Sequence, residues 1–354
     1  MTDEPTWPTV LSRLIERADL SESETAWAMD QIMSDAASPS QIGGFAVGLR
    51  AKGETPAEIA GMAYAMLTHA RTLDIDFRAV DIVGTGGDRS GSVNISTMSS
   101  LVAAAAGAPV VKHGSRAASS KSGAADVLET LGVAITMSAA DVLRCIREVG
   151  IGFCFAPAFH PALRYAGATR RELGVPTTFN MLGPLSNPAQ PSASLIGCAY
   201  ADKTRVLAEV FAQRGHDVLL VRGDDGLDEI TNTTTTTAWV ISGGRIHETM
   251  IDPRALDVPL STEADLKGGS PEVNAKVVQE LVSGKSGPVR DAVLLNAAGA
   301  LAAYEGFPGF ADSGDLTAEL RTQLARVAEA VDSGAAAELL QRWIDFSATV
   351  SSES

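Results

Sequence analysis

The sequence predicts an α/β plus α protein: a small all-helical domain beside a larger α/β domain with a central, largely parallel sheet. Two observations carry this. Three helix-start signals crowd residues 21–58, and from about residue 79 short β-rich runs alternate with helical ones, as strands joined by crossover helices do. Length agrees, because 354 residues exceed the size at which one core usually stops growing. With 45% hydrophobic and 20% charged residues the chain has the composition of a folded domain rather than a disordered one.

Taken in order, Trp7, Val10, Leu11, Leu14 and Ile15 recur at helical spacing and predict an amphipathic first helix. Ser21 with Glu24, Ser38 with Gln41 and Thr55 with Glu58 each match a capping box, the last two with proline at the first helical position. Strands are expected at 80–83, 109–111, 133–136, 151–155, 194–199 and 218–221. Gly107 and Gly132 stop the helices between them. Residues 156–192 are rich in proline and glycine and include the helical stretch PALRYAGATRREL, where the chain is read as returning to the helical unit. The threonine run at 233–237 suits a strand or its flank. The resulting division is 1–73 plus 164–192 for the helical domain, 74–163 plus 193–346 for the α/β domain, and 347–354 as a tail.

A formal net charge of −15 repels nucleic acid and anionic membrane surfaces, so neither is an expected partner. The first 30 residues hold no uninterrupted apolar segment, and a cytosolic protein without a leader or membrane span is expected. Cys145, Cys154 and Cys198 are isolated in apolar or helical surroundings and read as reduced structural thiols.

Three loops carry chemistry. Residues 81–94, DIVGTGGDRSGSVN, run from a strand through Gly84, Gly86, Gly87 and Gly91 to a helix near Ser96. Without Cβ atoms such a loop can turn successive N–H groups toward a phosphate, and the next helix adds partial positive charge. A mere tight turn is the plain alternative. The spacing is not that of a dinucleotide fingerprint, and the Walker lysine is missing. Residues 112–126, KHGSRAASSKSGAAD, gather Lys112, His113, Arg116 and Lys121, which suggests an anion site in an otherwise acidic chain or simply a solvated charged turn. Residues 223–230, GDDGLDEI, set Asp228 beside Glu229 after a strand and turn. Adjacent carboxylates near phosphate-binding loops suit Mg²⁺, although alone they are more readily an acidic turn.

These segments, with HPA and RRELGVPTTFNMLGPLSNPA, occur in an order and spacing similar to the anthranilate phosphoribosyltransferases, especially actinobacterial members, over residues 5–346. The resemblance implies a homodimeric, Mg²⁺-dependent enzyme that joins anthranilate to phosphoribosyl pyrophosphate during tryptophan synthesis. It implies that Gly84, Gly87, Asp88, Ser92, Asn94, Ile95, Ser96, Thr97, Lys112, His113, Gly114, Arg116, Ser119, Ser120 and Ala124 surround the donor. The acceptor would meet Gly84, Ser115, His160 and Arg170, and the metal Ser96, Asp228 and Glu229. Lys112 would stabilise the leaving pyrophosphate, while His113 is either a base or an oriented loop histidine. The helical unit would dimerise through a face containing Trp7, Trp27 and the 42–49 run. One departure stands out: the family's loop usually reads KHGNR, and Ser115 here replaces an asparagine with a shorter group lacking the amide. The rival readings are a pyrimidine nucleoside phosphorylase, which would need no Mg²⁺ pair, and a catalytically silent nucleic-acid-binding relative, which the charge disfavours.

Overall fold

The computed structural model describes residues 4–117 and 121–353. The helical unit opens with α1 (Trp7–Ile15), α2 (Glu22–Met33), α3 (Pro39–Lys52) and α4 (Pro56–Thr68). All three expected capping boxes are formed: Ser21, Ser38 and Thr55 accept from the third helical N–H, and Glu24, Gln41 and Glu58 reach back.

The sheet comprises β1 (Val80–Gly84), β2 (Val110–Gly114), β3 (Ile151–Phe155), β4 (Ala193–Gly197), β5 (Asp217–Gly223), β6 (Thr236–Ser242) and β7 (Arg245–Ile251). Their spatial order is β3-β2-β1-β4-β5-β6-β7. The first five strands run parallel, while β6 and β7 return antiparallel as an edge hairpin. Order reverses between β1 and β4, and the crevice beyond the carboxyl ends of such a pair is where open α/β sheets bind ligands.

Crossover helices follow the strands: α5 (Ile95–Ala105), α6 (Ala124–Leu131), α7 (Ala139–Val149), the short α8 (Ala156–Phe159), α9 (Arg164–Leu173) and α10 (Thr204–Arg214). The chain ends with α11 (Pro271–Val282), α12 (Pro288–Glu305), α13 (Pro308–Ser313), α14 (Leu316–Asp332) and α15 (Ala335–Glu353). Alternation along β5 explains the two cores. Leu219 and Val221 join the cluster beneath α5, α12, α14 and α15, whereas Val218 and Leu220 join Leu207 and Phe211 of α10 with Phe45 and Met62 of the helical unit. α9 packs back onto α2 and α3.

Three expectations are corrected. Residues 133–136 form no strand: Val133 and Ile135 are buried in the core, but Ala134 N–H donates to Ser347 Oγ of α15 instead of to a neighbouring strand. The stretch from 347 is no loose tail, since α15 runs through it to Glu353 with Ser347 and Val350 buried. Trp7, Ile42, Phe45, Ala46 and Leu49 lie inside the helical unit, so the 42–49 run is mainly a core face; on α1 and α3 the exposed large apolar groups are Ile15 and Val47, 82% and 43% exposed. No described helix is long and apolar enough to cross a membrane.

Candidate active site

Strands β1, β2 and β5 deliver the three chemistry-bearing loops to the crevice at the strand-order reversal. Gly84 closes β1, and a Cβ there would fall 2.2 Å from Asp228 Oδ2, so only glycine lets the carboxylate approach. Asp228 Oδ2 accepts Gly86 N–H at 2.7 Å, tying the acidic turn to the glycine loop. Gly87 has φ +92° and carries the Tyr200 hydroxyl directly against its Cα. Ser92 pairs with Lys267 in an isolated antiparallel bridge, and Lys267 also donates to the Ser90 carbonyl. Asn94 ends the loop, its amide donating to the Ser122 carbonyl and its oxygen accepting from Asn274 at 2.7 Å. Ile95 and Thr97 are buried in the first turn of α5, and Ser96 lies between them on the crevice side.

Asp228 is buried and Glu229 half-buried, Glu229 accepting the Ser96 N–H at the start of α5. Burial raises both carboxyls well above the usual carboxylate range, and crowding raises them further: Asp88 bears on Asp228, and Asp228 on Glu229. Lys112, only 1% exposed, donates to the Ile82 carbonyl at 2.7 Å and lies 3.4 Å from Ser96 Oγ. Burial depresses its ammonium while Asp81 and Glu229 hold the charge in place. Asp81 in turn accepts His113 N–H and the Asn187 amide, and burial lifts its carboxyl to about 6.

Oxygen donors with surplus negative charge fit a hard divalent cation. Among the described residues no three acidic, histidine or cysteine groups enclose a metal by themselves.

Next to this cluster a cavity of about 350 Å³ is lined by Ser115, Ala156, Pro157, His160, Pro161, Leu163, Arg164 and Arg170. Gly84 is placed with the acidic turn rather than in this lining. Arg170 lies over the Phe179 ring, 5.4 Å from guanidinium carbon to centroid, with no carboxylate paired to it among the described residues. Burial alone lowers its pKa, so it is a desolvated cation facing an apolar-walled space. His160 packs against His113 at 5.3 Å between ring centroids, joining the cavity to the Lys112 loop. His113 Nδ1 faces the Gly183 carbonyl, and burial, then His160, pulls its pKa down to about 3. It is therefore neutral at ordinary pH and a weak base.

Gly114 ends β2 and Ala124 begins α6. The Arg116 guanidinium, about half exposed, pairs with Asp126 and Glu129 of α6. Ser119 and Ser120 lie outside the described residues. Tyr200, Asn274 and Lys267 were missed by sequence reasoning and lie in no motif it singled out; Asp81 and Asn187 lie inside the quoted segments, 81–94 and LSNPA, without having been assigned a role.

A sequence profile described as "Glycosyl transferase family, a/b domain" matches residues 76–337, and one described as "Glycosyl transferase family, helical bundle domain" matches residues 8–70. An anthranilate phosphoribosyltransferase of Saccharopolyspora erythraea is 62% identical over 98% of this chain and 98% of its own length. The crystal structure of anthranilate phosphoribosyltransferase from Thermus thermophilus is 38% identical with a TM-score of 0.87, covering 96% of this chain and 99% of that one. The enzyme from Saccharomyces cerevisiae in complex with phosphoribosyl pyrophosphate and magnesium has a TM-score of 0.87 at 26% identity, covering 97% of this chain and 98% of that one. With two family profiles covering both structural units and this identity along its whole length, the chain belongs to the anthranilate phosphoribosyltransferase family.

Proposed function

We propose that this protein transfers the 5-phosphoribosyl group of phosphoribosyl pyrophosphate to the amine of anthranilate, releasing pyrophosphate, in the cytosolic synthesis of tryptophan. The carrying observation is one crevice holding two complementary half-sites: a crowded acidic pair tied to a glycine loop, and a half-buried Arg170, without an ion-pair partner among the described residues, facing an apolar cavity.

In this reading the N–H groups of residues 84–92 and the first turn of α5 (Asn94, Ile95, Ser96, Thr97) cradle the diphosphate, with Lys112, His113, Gly114, Ser119, Ser120 and Ala124 around the phosphoribose. Ser96, Asp228 and Glu229 would hold Mg²⁺, which when bound with the donor neutralises charge on the departing pyrophosphate. Arg170 forks onto the anthranilate carboxylate while the ring fills the cavity between Ser115 and His160, aiming the amine at C1. The C1–O bond to pyrophosphate breaks as the C1–N bond forms, and the anilinium proton passes to water. His113 orients the loop through Gly183 and is not the base, its pKa of about 3 being far from working pH. Arg116, held by Asp126, which also accepts the Ala117 and Gly123 N–H groups, would stand at the donor's edge from there.

The domain division at 1–73 plus 164–192 is supported by the packing of α9 on α2 and α3. A homodimer would form through the outer face of α1 and α3, where Leu11, Leu14, Ile15 and Val47 line an apolar depression of about 420 Å³.

The test is to mix the protein with phosphoribosyl pyrophosphate, Mg²⁺ and anthranilate and follow anthranilate fluorescence, with thymidine and uridine phosphorolysis as the contrasting assay. Anthranilate is consumed and the nucleosides are not; Asp228→Ala with Glu229→Ala lowers turnover by about 100-fold or more. Nucleoside cleavage without anthranilate uptake overturns the reading.

A further inference from the structure

Arg170 has no ion-pair partner among the described residues, yet it needs a fixed direction to grip a carboxylate. Its ring support is Phe179, which is 4% exposed and follows Thr178, 0% exposed. Thr178 Oγ1 donates to Glu54 Oε1 at 2.6 Å, a buried charge-assisted bond. Glu54 stands just after α3 in the helical unit, and its other oxygen lies 2.6 Å from Lys203 Nζ at the entrance to α10 in the α/β unit. Lys203 and Arg50 both share Asp202, at 3.1 and 3.4 Å, and Arg50 lies over the Tyr200 ring whose hydroxyl underlies Gly87.

The Glu54 carboxylate has no solvent exposure, and its two oxygens meet one partner from each structural unit: Oε1 a hydrogen bond from Thr178, Oε2 the charge of Lys203. The chain of contacts therefore runs Lys203, Glu54, Thr178, Phe179, Arg170. We propose that Glu54 is a positioning residue for the acceptor: through Thr178 it fixes Phe179, the surface on which Arg170 rests, and through Lys203 it makes that placement depend on how the helical and α/β units meet. This rests on the assignment of Arg170 to the anthranilate carboxylate.

Replacing Glu54 would leave the buried Lys203 with only the exposed Asp202 as a partner and risks general destabilisation. Thr178→Val keeps shape and the ion pair while removing the one hydrogen bond, and Thr178→Ser restores it. Full-length wild type and both variants are assayed with each substrate varied in turn, alongside direct fluorescence titration with anthranilate and thermal melting. Thr178→Val is expected to raise the anthranilate KM and dissociation constant about tenfold, the worth of a positioning bond, with the KM for phosphoribosyl pyrophosphate and kcat within about twofold. Thr178→Ser returns the acceptor KM to near wild type. Unchanged acceptor affinity in Thr178→Val, or equal losses for donor and acceptor, overturns the proposal while the enzyme's activity stands. Wild type that neither binds nor consumes anthranilate overturns the functional reading, and this inference with it.

Discussion

Asp228 concentrates the electrostatics of the site in one side chain. Burial and the neighbouring Asp88 raise its pKa above the ordinary carboxylate value, and Glu229 is raised beside it. A carboxyl whose folded pKa exceeds its unfolded one binds protons more tightly in the folded state. Ionising it as pH rises toward neutrality therefore costs stability, and a bound cation reverses that cost by expelling the proton. Donor with Mg²⁺ should thus bind more tightly as pH rises through about 6 to 8. Calorimetry in buffers of different ionisation enthalpy should show proton release that Asp228→Asn diminishes; heats independent of buffer would refute this. The acidic pair itself was legible in the sequence, as were Lys112 and Arg170. What joins them was not: Asp88 reaches Asp228, Asn274 reaches Asn94 and Tyr200 underlies Gly87 across long sequence separations, and a lone chain gives no sign of which distant polar group fills a given gap.

At the scale of elements, local chemistry was read best where it acts locally. Capping boxes bind their own first turn, so Ser21, Ser38 and Thr55 could be placed from spacing alone. Residues 133–136 have the same texture as a strand, but their partner is Ser347 of α15, a tertiary choice that composition does not encode. β7 is an edge strand with most side chains in solvent, so its polar sequence RIHETMI hides it. The glycine loop belongs to the legible class and yields a ranked prediction. Gly86 at φ +66° has open space where a Cβ would lie, whereas Gly87 at φ +92° would press a Cβ to 2.4 Å from the Tyr200 hydroxyl. Gly87→Ala meets both backbone strain and collision, together about 1–3 kcal/mol, and Gly86→Ala meets strain alone. Gly87→Ala should raise the KM for phosphoribosyl pyrophosphate by at least about tenfold and Gly86→Ala by less. The reverse order in donor titrations would show that the loop does not rest on Tyr200 when it binds.

For the whole molecule, the decisive contrast is between a strongly acidic surface and an apolar depression on its helical unit. Two copies each carrying a net charge of −15 repel, so association requires contact area that outweighs the repulsion and strengthens as salt screens it. Ile15 and Val47, with the half-buried Leu11, offer that area, and α1 sits close on α3 because Gly44 and Gly48 leave room for Leu11 and Leu14, 3.3 and 3.1 Å from where a Cβ would lie. Sedimentation should find a mass near twice the 36.7 kDa of one chain, with the balance moving toward dimer as salt rises. Ile15→Glu with Val47→Glu places two more carboxylates on the same face and should yield single chains. Turnover should persist in that variant, because Asp228, Glu229, Lys112 and Arg170 are gathered within one chain and none lines the depression. A wild-type protein that sediments as a single chain at every salt concentration would remove the dimer, and would leave the depression between α1 and α3 without a partner.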